Sequence, residues 1–166
     1  EDVLAVFRCK LSPEGMPQSY EPAERGEERA GYLYLNFVRY VASVGETWFC
    51  GFSYVDLLDP DVVKKFIELA YEPYAERFKD ELGRTIPGIF TDEPNFSSSR
   101  PPRRQRMPPR GPRIPPFAIP WTDKLPEKFR ELNGYDIVPR LPELFFNMGD
   151  YMKTRYDFWR TITLLF

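Results

Sequence analysis

The chain has 166 residues, 42% hydrophobic and 16% aromatic, with 23 Lys plus Arg against 25 Asp plus Glu and a net charge of -2. That is the length of one domain, with enough apolar material to offset chain entropy, so wholesale disorder is excluded. Histidine is absent, which removes Ser-His and Cys-His nucleophile pairs and every His-ligated zinc or iron site; any chemistry must run on carboxylates.

The two cysteines, Cys9 and Cys50, are too few for a disulfide scaffold or a four-cysteine metal site and read as buried thiols. No run of 18 apolar residues exists, so no membrane partner is expected. Glu1-Asp2-Val3-Leu4 lacks the basic start of a signal peptide, and both ends read as cut from something longer, so the sequence assigns no cellular location.

Residues 3–11 and 32–41 are rich in β-formers with stretches of apolar–polar alternation, and both are predicted strands. Between them, Pro13, Gly15, Pro17, Pro22 and Gly26 among many charges predict a loop or long hairpin connection. Residues 46–54, with Thr47, Trp48, Phe49 and Phe52, read as a third strand.

A long amphipathic helix is predicted next. Asp59 is its N-cap and Pro60 its first residue; Val62, Phe66, Ala70, Tyr74, Phe78 and Leu82 recur every fourth position, and Gly83 closes it. Pro73 should kink it. Residues 85–91, short and apolar, read as a buried strand, which makes strand–helix–strand a parallel βαβ unit. Residues 97–120 then carry six arginines, eight prolines and no acid, which rules out a helix or inner strand. Short helices are predicted over 126–132, stopped by Asn133-Gly134, and near 141–146. A last helix, capped by Asp150, runs through Tyr156, Trp159, Ile162 and Phe166 as one apolar face.

The chemistry concentrates in Ile89-Phe90-Thr91-Asp92-Glu93-Pro94-Asn95, where two acids follow a predicted buried parallel strand. In α/β sheets and barrels, ligands bind at that edge of the strands. Neighbouring strand residues face opposite sides, so Glu93 is taken as the inward group and Asp92 as its support. A carboxyl partly desolvated among aromatics has a raised pKa, as a proton donor to a glycosidic oxygen requires. An isolated Asp-Glu-Pro is more often a polar turn. Tyr54 and Asp56, after the preceding strand, could bond sugar hydroxyls, and Trp48 or Trp121 could stack on a pyranose, although core packing is the default for the neighbouring phenylalanines.

The run Tyr54 to Pro60, the helix with Phe66-Ile67-Glu68 and Tyr71-Glu72-Pro73-Tyr74, and Phe90-Thr91-Asp92-Glu93-Pro94, with Pro120-Trp121-Thr122-Asp123 and Gly134-Tyr135-Asp136, resemble bacterial glycoside hydrolases of the family 2-like and family 106 (α-L-rhamnosidase-like) group. The resemblance spans residues 48–166. It implies part of an α/β (β/α)8 barrel over residues 46–166 behind a β-rich segment, 1–45, with Glu93 as catalytic acid beside Asp92. Trp48, Tyr54, Asp56, Asn95 and Trp121 become substrate contacts. It further implies a second catalytic carboxylate on a later strand, inversion, and a bound calcium, although no spaced ligand loop of the EF-hand kind appears.

A full barrel takes about 250 residues. The rest would come from a longer chain or a second copy, and unpaired edge strands would favour dimerisation. Residues 97–120 read first as an insertion at the barrel mouth, then as a polyproline ligand; nucleic-acid binding is disfavoured because aromatic interleaving is missing and the remainder is acidic. Asn95-Phe96-Ser97 matches a glycosylation acceptor. The competing classes are a noncatalytic carbohydrate-binding or structural module and an interaction protein recruited through the Arg/Pro segment.

Overall fold

The computed structural model describes residues 2–41, 44–45, 50–91, 94 and 118–166. Three strands open the chain: β1 (Asp2–Leu11), β2 (Pro17–Pro22) and β3 (Tyr32–Arg39), ordered β2-β1-β3 and antiparallel throughout. Phe7 and Cys9, two residues apart on β1, share the buried face, as the strand period requires. Arg8 between them turns to the other face and pairs with Glu21 of β2 at 2.8 Å and with Glu27.

Both predicted strands are present, but the connection between them contains β2, which the prolines and charges concealed. Pro17 and Pro22 bracket β2 at the sheet's edge, where a missing N–H donor leaves no ladder bond unmade.

α1 (Pro60–Ala70) begins as the sequence predicts, with the Asp59 carboxylate accepting from the Asp61 N–H at 2.9 Å. The expected kink is instead a break: α1 ends at Tyr71, and α2 (Glu72–Arg77) restarts with Pro73 in its first turn, where the ring is tolerated. A single 3-10 turn, Lys79–Glu81, follows. None of these three helical pieces buries a residue.

The predicted parallel βαβ unit is not formed among the described residues. Residues 50–54 run through turns without strand pairing, and 46–49 lie outside the described residues. The predicted buried strand at 85–91 is an irregular segment joined only by one parallel bridge, Leu82 to Ile86; Ile89 is 63% and Phe90 87% exposed. Apolar composition favours a strand only where a partner supplies the ladder, and no described segment pairs with this one.

Beyond residue 117 come α3 (Leu125–Asn133), a 3-10 turn at Val138–Arg140, α4 (Leu141–Phe145) and α5 (Tyr151–Leu165). Gly134 ends α3 with φ 76°, its N–H bonded to the Arg130 carbonyl at 2.9 Å. Asp150 sits at the N-terminus of α5 but its side chain makes no capping bond. The expected apolar face of α5 is displaced: Tyr156, Trp159 and Phe166 are exposed, while Thr154, Asp157, Phe158, Thr161 and Ile162 form the buried stripe. Three of those five are polar, and hydrogen bonds inside the fold make their burial tolerable.

Among the described residues, two apolar clusters form the core. Leu58, Leu125, Phe129, Ile137, Phe158 and Ile162 form the helical core. Cys9, Leu35 and Met148 form a second, joining the sheet to the chain between α4 and α5, with Phe37 against Phe145 at 5.5 Å between ring centroids. The N-terminal β-rich segment thus packs on the last helices. Of the two cysteines, only Cys9 is a buried thiol; Cys50 is exposed, at φ 54° in a turn.

Candidate active site

Asp92, Glu93, Asn95 and Trp48 lie outside the described residues, as does most of the 97–120 segment. Their flanks are defined: Thr91 and Pro94, on either side of the acid pair, are both exposed. Tyr54 is half-buried in the irregular stretch ahead of α1. Asp56, also half-buried, accepts the Leu58 N–H at 3.0 Å, and its carbonyl accepts from Asp59, so it shapes the turn that starts the helix.

Trp121 is half-buried against the helical core that contains Leu58. That packing gives Trp121 a structural role in the core. Lys124, three residues on, pairs with Asp61 of α1 at 2.9 Å. Asp56 thus shapes the start of α1 and Trp121 packs on the helical core, while the Lys124–Asp61 ion pair ties the chain before α3 to α1.

Sequence reasoning passed over a buried polar network between the sheet and the last helices. Glu143 of α4 is 1% exposed, and its carboxylate accepts from Tyr20 Oη of β2 at 2.5 Å, Arg140 at 3.0 Å and Thr154 of α5. Arg155 Nε donates to its main-chain oxygen at 2.9 Å. Burial works against charge on Glu143, but the bonds from Thr154, Tyr20 and Arg140 outweigh it and hold the carboxyl below its ordinary range. Burial, and then the neighbouring Glu143, push the Tyr20 phenol far up.

Asp157 of α5 repeats the pattern. It accepts from Tyr135 Oη at 2.9 Å and from Lys153, whose ammonium also lies 4.4 Å from the centre of the Tyr135 ring. Burial opposes its charge and the bonds from Lys153 and Tyr135 prevail, so it too stays below its usual range. The signal for both acids was their setting: Leu141-Pro142-Glu143-Leu144-Phe145 and Tyr156-Asp157-Phe158-Trp159 each embed one acid in an apolar run.

Chemically, the network joins layers. The oxygens of Glu143 are taken by three side-chain donors, which suits a structural anion better than a proton donor to a substrate. Among the described residues no three carboxylates or thiols converge as a metal site, so the calcium that the resemblance implies finds no fit there. No described helix is long and apolar enough to cross a membrane. Compared with protein-family models, curated proteins and solved structures, the chain matches none.

Proposed function

We propose that this chain is a portion of a glycoside hydrolase in which Glu93 protonates the glycosidic oxygen, Asp92 tunes its charge and orientation, and Trp48, Tyr54, Asp56, Asn95 and Trp121 contact the sugar. One observation carries the reading: the segment Phe90-Thr91-Asp92-Glu93-Pro94, within the family resemblance over 48–166. The exposure of Thr91 and Pro94 supports it, since a substrate has to reach the pair. In this reading the chain contributes to a (β/α)8 catalytic domain completed by further chain or by a second copy. A second carboxylate, supplied from outside the described residues, would set the stereochemistry through its distance from Glu93.

The noncatalytic alternative, a carbohydrate-binding or structural module, is favoured by a different observation: the sheet among the described residues is antiparallel, with one isolated parallel bridge. Hydrolysis of a panel of aryl glycosides, α-L-rhamnoside and β-galactoside included, separates the two when run beside Glu93→Gln. Turnover that disappears in the variant is expected for the hydrolase. Sugar binding that survives Glu93→Gln, with no turnover by the parent, belongs to the module.

A further inference from the structure

We propose that Glu143 is a charge-dependent latch: as an anion it holds the N-terminal sheet against α4 and α5, and on taking up a proton it releases the sheet while the helical core stays closed. The latch stands on geometry. One buried carboxylate gathers a donor from the sheet (Tyr20), one from the turn before α4 (Arg140) and one from α5 (Thr154). The backbone of Gly149 closes over it so tightly that a Cβ there would lie 2.4 Å from Oε1.

All three side-chain partners donate, and an ionised carboxylate only accepts. Protonation strips Arg140, which can only donate, of its counter-charge, and forces one of the two hydroxyls, Tyr20 or Thr154, to turn from donating to accepting, so the charge-assisted bonding that ties the three elements together is weakened in a place closed to water. Among the described residues, these titratable groups lie on the elements packed around it. Arg140 comes from the turn, Tyr20 and the Cys9 thiol from the sheet, Lys153, Arg155 and Asp157 from α5, and Tyr135 from the chain after α3. The direction of titration agrees: the carboxyl sits below its ordinary 4.5, so the latch holds above that value and fails as pH falls through the folded one.

The sheet opens first because the helical core contains no strand residue. Among the described residues the sheet is also tied by the Cys9, Leu35 and Met148 cluster, the Phe37–Phe145 contact, the packing of β1 near the Val138–Arg140 turn and the exposed Arg39–Asp123 ion pair, the last of which contributes little in water.

Amide hydrogen exchange of the 166-residue chain between pH 7 and pH 3 tests this, comparing protection in β1 and β3 with protection at Phe158–Ile162 of α5. Sheet protection is expected to fall by about tenfold or more at a pH where α5 is unchanged. Tyr20→Phe, the loss of one hydroxyl, is expected to move that release to higher pH, and Asp123→Asn to leave it in place. Joint loss of sheet and α5 protection, a release unmoved by Tyr20→Phe, or a larger shift from Asp123→Asn would each overturn the latch.

Discussion

The phenol of Tyr20, on a six-residue edge strand, donates to the carboxylate of Glu143, 123 positions later in the chain. This bond connects the part of the molecule legible as sheet to the part legible as helix, and several measurable consequences follow from its surroundings.

Gly149→Ala should be more damaging than Gly134→Ala. Both glycines have positive φ, which costs a side chain about 1 to 2 kcal/mol. At Gly134 the added methyl meets open space, whereas at Gly149 it collides with the Glu143 carboxylate. Urea unfolding of the two variants should therefore place Gly149→Ala clearly below Gly134→Ala; equal losses would mean that the carboxylate moves aside without penalty.

Two phenylalanines should behave oppositely. Phe129, fully buried in the helical core, should lose about 3 to 5 kcal/mol on truncation to Ala. Phe90, 87% exposed, should change stability by less than about 0.5 kcal/mol in the same substitution. A large loss at Phe90, read from the same urea curves, would show that the segment before the acid pair is packed in solution.

The cysteines should separate kinetically. Burial pushes the Cys9 thiol up to about 11, so at neutral pH it is protonated as well as enclosed, while Cys50 is exposed. Titration with a chromogenic disulfide should show one fast thiol in the native protein and two in denaturant. Two fast thiols without denaturant would show that the sheet is open.

Asp157 adds an acid-dependent contribution. Its folded pKa lies below the ordinary 3.8, so the stabilisation is present at neutral pH and is lost as pH falls through the folded value. Asp157→Asn should melt below the parent at pH 7, with the gap narrowing towards pH 3. A gap that stays constant with pH would assign the effect to packing rather than charge.

Local signals were readable where the local chain decides. Asp59 with Pro60 started a helix, Gly134 stopped one, and the alternation of β1 gave a strand. Longer-range outcomes were not. Tyr20 looked like a loop residue because Pro17 and Pro22 flank it, yet an edge strand accommodates both. Residues 85–91 looked like a buried strand, but burial depends on a partner that composition does not reveal. On α5, counting apolar residues placed Ile162 correctly but Tyr156, Trp159 and Phe166 on a buried face, whereas Thr154, Asp157 and Thr161 go inside on hydrogen bonds formed with Glu143, Tyr135 and Asn133. Of the candidate site, Tyr54, Asp56 and Trp121 are half-buried among the described residues, while the acid pair itself lies outside them.

The Tyr20–Glu143 bond also sets an order of events during synthesis. β1, β2 and β3 can pair once residue 39 has left the ribosome, but among the described residues the partners that cover Cys9 and Leu35, Met148 and Phe146, come more than a hundred residues later. The nascent sheet waits through that stretch of translation with Cys9 and Leu35 lacking the Met148 that packs on them in the folded chain. Contacts of such sequence separation form late and slowly, and the interval in which the sheet stands alone is the one in which a chaperone has the most to shield.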